Sequence, residues 1–140
     1  TKRVWMVPVL LVVFYAVIQA SAFAILPERD DAGTVVRGGT IAIEDLRVGD
    51  CFDWAGRIDR GTIRQVRLQP CEAVHEAAAV GQTMYPANSA APWPGLDPID
   101  AYADDVCGVI VPEEMAMVSI MPTEQSWGGG DRTIVCVGMA

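Results

Sequence analysis

Residues 4–26 contain no charged side chain, and that uninterrupted apolar run limits what the chain can be more than any other feature. As a helix, its 23 residues at about 1.5 Å each reach roughly 34 Å, enough to cross a hydrocarbon core of about 30 Å. Residues 1–26 are therefore expected to form one transmembrane helix with a short cytoplasmic flank. Lys2 and Arg3 precede the run, and basic flanks stay in the cytoplasm, so the rest of the chain is expected outside the plasma membrane. Trp5 suits the interface, and Pro8 lies where a kink does little harm. The chain does not begin with methionine, which points to residues ahead of Thr1. The rival is a cleavable leader ending at Ala22-Phe23-Ala24; against it, the apolar run continues through Ile25 and Leu26.

Within the run, Ala16, Ala20 and Ala24 recur every fourth residue with Ser21 beside them, a narrow stripe where another helix can approach closely. Tyr15 and Gln19 border that stripe, and their polar atoms need a hydrogen bond from a neighbour or a cavity when surrounded by lipid. The partners expected are other membrane helices, as in a larger integral-membrane complex, and the bilayer itself. The plainer alternative is that alanine is simply common in apolar helices.

The 51% apolar content of the 140 residues thus averages two different objects. All eighteen acidic residues follow Leu26, against eight arginines, so the part beyond the run is strongly acidic and its charge disfavours nucleic acid as a partner. Its four cysteines, Cys51, Cys71, Cys107 and Cys136, read as two disulfides in an oxidising compartment, and no two stand in a CxxC spacing. Three pairings are possible. Cys51–Cys71 with Cys107–Cys136 is favoured because each bridge then ties neighbouring segments, and loops of this length stabilise by roughly 3–4 kcal/mol each in the chain-entropy model.

The exported part suggests an α+β domain of about four to five mostly antiparallel strands with one main helix. Residues 27–39, with Asp30, Asp31, Gly33, Gly38 and Gly39, suggest a polar tether carrying at most a short strand at 34–37. The domain, residues 40–140, then shows a turn at Val48-Gly49-Asp50, a strand at 51–54, and an alternating strand at 62–69 with Val66 and Leu68 on one face, ended by Pro70. A further strand is expected from about Glu76, with a helix competing through Ala77-Ala78-Ala79. A loop follows at 86–98. Asp97 is expected to cap a helix that has Pro98 in its first turn and runs to about Val109. Ile99, Tyr102, Ala103, Val106 and Cys107 recur at three and four, so Cys107 faces the core, which suits its bridge to Cys136. Strands at 115–121 and 133–137 close the chain, joined by a helical turn at 123–127 and the glycines 128–130.

These residues carry a resemblance. Leu46-Arg47-Val48-Gly49-Asp50-Cys51-Phe52, then Val66 to Pro70-Cys71 with His75-Glu76, Cys107, Pro122-Thr123-Glu124-Gln125-Ser126-Trp127, and Gly130-Asp131-Arg132 through Cys136 follow one another in order. The chain resembles the septum-formation domain family of actinobacterial membrane proteins over residues 43–137. The resemblance implies an extracytoplasmic, two-disulfide domain on one transmembrane helix, and by its name a link to cell division. It brings no catalytic residue and no cofactor. Gly49, Asp50, His75, Trp127, Asp131 and Arg132 enter as structural motif positions, and Val74 departs from the pattern where a proline commonly precedes the histidine.

Candidate chemistry is sparse. His75 between Glu72 and Glu76 would be the start of a metal or acid-base site, but a zinc ligand set wants three or four residues and the cysteines are better used in bridges. A hydrolase would need Ser89, Ser119 or Ser126 near His75, and none stands in a G-x-S-x-G turn. Gly128-Gly129-Gly130 lacks the following Gly-Lys-Ser/Thr of a phosphate loop and reads as a turn that lets Arg132 fold back onto a carbonyl or carboxylate. Arg57, Arg60, Arg64 and Arg67 form the one basic cluster, suited to lipid head groups or an acidic partner. No metal or cofactor is expected. The function expected is that of a non-enzymatic, membrane-anchored accessory or scaffold subunit. A cell-envelope module binding a wall component or protein at the division site stands second, and a secreted enzyme using His75 a distant third.

Overall fold

A computed structural model describes residues 26–55 and 63–140. The apolar run up to residue 25, with Tyr15, Ala16, Gln19, Ala20 and Ala24, lies outside the described residues, as do Arg57 and Arg60. Among the described residues, no helix is long and apolar enough to cross a membrane.

The fold is α+β, built on an antiparallel sheet of six strands in the order β3-β5-β4-β6-β8-β7. These are β3 (Gly39–Ala42), β4 (Cys51–Trp54), β5 (Gln65–Gln69), β6 (Ala77–Met84), β7 (Ala116–Ile120) and β8 (Thr133–Met139). One main helix, α1 (Leu96–Ile110), and a short one, α2 (Glu124–Gly128), complete it, and β1 (Glu28–Arg29) pairs with β2 (Val35–Arg37) as a separate hairpin.

Alternation explains the layers. On β5, Val66 and Leu68 are buried while Gln65 and Arg67 point outward, and they join Phe52, Ala77, Ala79, Val135 and Val137 in one apolar cluster. On β8 the other face carries Ile134 and Cys136, which pack with Ile99, Ala103, Cys107 and Val111 of the helical layer and with Trp127. Thus β8 is buried on both faces and reads as the continuous apolar run Ile134-Val135-Cys136-Val137. Gly81 allows α1 to close on β6: a Cβ there would meet Ile110 Cγ2 at 2.5 Å.

Three details differ from the sequence expectation. The sheet has six strands rather than four or five, because the four residues of β3 are too few to announce a period of two. Residues 27–39, expected as a tether, hold the β1–β2 hairpin, and Val35 is buried in the apolar cluster. Asp30 makes its turn: Oδ1 accepts from the amides of Ala32 and Thr34. Finally, Asp97 does not cap α1. The helix starts two residues earlier, at Leu96 after Gly95 at φ 91°, with no side-chain cap, and Asp97 contributes only its charge in the first turn.

Candidate functional site

Two bridges staple the domain, one between β4 and the loop after its neighbour β5, the other between α1 and β8. Cys51 is bonded to Cys71 with Cα atoms 5.2 Å apart, and Cys107 to Cys136 at 5.2 Å. Their settings differ: Cys107 and Cys136 are wholly enclosed between α1 and β8, whereas Cys71 lies exposed in the loop after β5. A hollow of about 240 Å³ opens beside the exposed bridge, lined among others by Arg29, Thr34, Arg47, Val48 and Asp50.

The wall of that hollow is made by an ion pair. Arg29 Nη1 and Nη2 donate to Asp50 Oδ1 and Oδ2 at 2.6 and 2.8 Å, and Nη1 also donates to the Gly33 carbonyl. Asp50, only 4% exposed, accepts from the Arg47 amide as well, so its charge is fully met. The hydrogen bonds that Arg29 donates to Asp50 raise it above the ordinary arginine value; burial opposes that rise, and the negative charge of Asp50 adds a smaller increase. Gly49, at φ 96°, supplies the turn and donates its amide to the Ala79 carbonyl, which ties the turn to β6. On this rim the apolar side chain of Val48 stands in solvent at 54% exposure, and Val74, three residues along the loop from Cys71, is 96% exposed. Arg47 and Val48 thus line the hollow together with both cysteines of the Cys51–Cys71 bridge.

His75 sits at the foot of the same loop, where Nδ1 donates to the Ala73 carbonyl at 2.8 Å. Glu76 is tied down separately, accepting from the Trp54 amide at 2.8 Å and donating its own amide to Asp53 Oδ1. Both act on local backbone. No group of three or more His, Cys, Asp or Glu side chains able to hold a metal ion occurs among the described residues.

At the other end of the domain, Arg132 is 2% exposed and makes five N–H bonds to four carbonyls: Asn88, Ser89, Trp127 and Asp131. Its guanidinium lies 3.5 Å from the Trp127 ring centroid, and the Trp127 indole N–H donates to the Ala91 carbonyl at 2.7 Å. Together they hold the proline-rich loop 86–95 against the sheet. Asp131 Oδ1 accepts from the Thr133 amide, and Gly130 adopts φ 94°, so the glycine run ends α2 as a turn. The hydroxyl of Ser126 is engaged with Thr123 in a capping box at the start of α2. Ser119 Oγ is buried without a hydrogen-bond partner among the described residues. Arg64 and Arg67 are exposed on and beside β5.

The structure therefore gathers Gly49, Asp50, Cys51 and Cys71 at one end and Trp127, Asp131 and Arg132 at the other. His75, Ser89, Ser119 and Ser126 make no hydrogen bond with one another. Sequence reasoning missed Arg29, whose partner is 21 residues away, and Asn88 and Ala91, which act through carbonyls that no side chain advertises. The repeated Gly-Asp and Asp-Arg pairs were the available signal. No family model matches the chain, and neither a curated protein nor a solved structure matches it.

Proposed function

We propose that the chain is a non-enzymatic accessory or scaffold subunit, anchored by one apolar helix and presenting its stapled domain outside the cytoplasm to a larger integral-membrane complex. The observation that carries this is the juxtaposition of two features: a 23-residue uncharged run and, beginning two residues after its end, a domain closed by two disulfides. Disulfides suit an oxidising, extracytoplasmic compartment, and an uncharged run of that length suits lipid.

The chemistry of the domain supports a structural role. Among the described residues, the two buried charged side chains, Asp50 and Arg132, are engaged with the domain's own groups. Beside the exposed bridge, exposed Val48 and Arg47 supply an apolar and a basic group to the rim, which suits binding of a partner. The resemblance of the ordered motifs to the septum-formation domain family is consistent with the same architecture, and under this proposal it points to a role in cell division. Ala16, Ala20 and Ala24 are the helix contacts of this proposal.

The test is affinity purification of the full chain from its own membranes in mild detergent. A stoichiometric integral-membrane partner that is lost with Ala20→Leu supports the assignment. Recovery with no membrane partner, together with binding of the chain to purified wall material, would replace it by the envelope-binding alternative.

A further inference from the structure

The two bridges differ in what can reach them. Cys107 and Cys136 are wholly enclosed, so a thiol meets them only on unfolding. Cys71 is exposed while Cys51 is buried, and both line the hollow of about 240 Å³. Cys71 Sγ stands 3.6 Å from the Gly49 carbonyl oxygen, beside the turn that Asp50 closes by donating its amide to the Arg47 carbonyl. Charge sets this hollow apart from the rest of the domain. Asp50, the one acidic residue in its lining among the described residues, holds Arg29 with both oxygens, so those two charges offset one another. Among the described residues the Arg47 guanidinium has no hydrogen bond and no carboxylate at ion-pair distance; only its backbone amide is engaged, with Asp50. An uncompensated cation thus lines the same hollow as a reachable disulfide, in a domain that is otherwise acidic.

We propose that the Cys51–Cys71 bridge is a reversible thiolation site for small anionic thiols, entered at Cys71 and steered by Arg47. The thiolate of the small molecule attacks Cys71 Sγ and forms a new S–S bond there. The Cys51–Cys71 bond breaks, and its electron pair leaves on Cys51 Sγ as a thiolate. One disulfide is consumed and one is formed, so the exchange needs no oxidant. Arg47 attracts the incoming anion and favours the thiolate released in the hollow. The volume, on the order of eight liquid waters, admits a thiol of a few heavy atoms whole. Reversal is built in, because both ends of the loop stay on β4 when the bridge opens. Gln69 lies opposite Cys51 in the β4–β5 ladder. Glu76 donates its amide to the Phe52 carbonyl and to Asp53 Oδ1, and accepts from the Trp54 amide. Cys71 is therefore kept near Cys51, which re-attacks and expels the small thiol. This chemistry belongs to the exported domain and does not depend on which protein meets the apolar helix.

The experiment treats the full chain in detergent micelles with 2-mercaptoethanesulfonate, an anionic thiol, or with cysteamine, a cationic one. Free thiols are trapped at short times with a maleimide, and peptides are mapped without reduction. The early product should carry the sulfonate thiol on Cys71 and the maleimide on Cys51, with Cys107–Cys136 intact. Arg47→Ala should slow the anionic reagent by about threefold at low salt, and cysteamine by less; Arg47→Lys should keep the original rate. Comparing variant with unaltered chain for each reagent cancels the reagents' own reactivities. The gap should fade at about 1 M salt, where the Debye length falls to about 3 Å. Removing the thiol from an untrapped sample should restore the Cys51–Cys71 bridge. A first adduct on Cys51, or both bridges opening together, overturns the proposal. So does an Arg47→Ala effect that is absent, or equal for the two reagents, since a merely structural role of Arg47 would move both alike. An adduct that persists after the thiol is removed refutes reversibility and overturns it as well.

Discussion

Arg132 and Arg29 show how this acidic domain spends its few cations on itself. Arg132 satisfies four carbonyls from one planar fork, a geometry that the three donors of an ammonium cannot reproduce. Arg132→Lys should thus cost about 2–3 kcal/mol through unmet buried carbonyls, read as a lower urea midpoint with loop 86–95 becoming protease-sensitive. Arg29→Ala leaves the Asp50 carboxylate enclosed with only the Arg47 amide, at a cost of about 2 kcal/mol after allowing for the partial exposure of the arginine. Because the folded value of Arg29 is raised, its contribution is complete at lower pH and is lost only as pH climbs through the strongly alkaline range. Unfolding compared at pH 7 and pH 9 should therefore show the same wild-type-to-variant gap from this group; a gap that closes between them would refute the ion-pair account. The glycine run before Asp131-Arg132 announced that Arg132 would turn back, but nothing local could name Asn88 or Ser89, since a carbonyl acceptor has no sequence signature.

Elements were legible in proportion to their length and periodicity. The alternation in β5 and the three-and-four spacing in α1 stand out because each buries several side chains on one face. The β1–β2 hairpin did not, since two strands of two and three residues hold a single buried apolar anchor, Val35, and otherwise look like a linker. Close approach is equally silent in sequence. A Cβ on Gly38 would lie 2.5 Å from the Leu68 carbonyl oxygen, a backbone atom, whereas one on Gly138 would meet the flexible end of Met115 at 2.7 Å. Gly38→Ala should accordingly destabilise more than Gly138→Ala in parallel thermal melts; the reverse order would show that the β3 edge is looser than described. The bridges also separate at this scale. Under a gentle dithiol reductant, Cys51–Cys71 should open first because Cys71 is accessible, and Cys107–Cys136 only on unfolding. Alkylation followed by peptide mapping reads that order directly.

At the scale of the molecule, an uncharged run leads within two residues into a domain in which one disulfide ties β4 to the loop after β5 and the other ties α1 to β8, so location and stability are linked. The class of fold and the cysteine pairs followed from sequence because they depend on long-range bookkeeping of apolar faces and parity of thiols. Surfaces did not, since an exposed valine beside a bridge means nothing until the chain has folded. The most direct measurement is non-reducing peptide mass mapping of the chain recovered from carbonate-washed membranes of the cells that make it, with thiols blocked at lysis. The expected result is membrane-retained protein yielding the Cys51–Cys71 and Cys107–Cys136 peptides. Alkylated Cys51, Cys71, Cys107 and Cys136, or a chain released by the wash, would contradict the account.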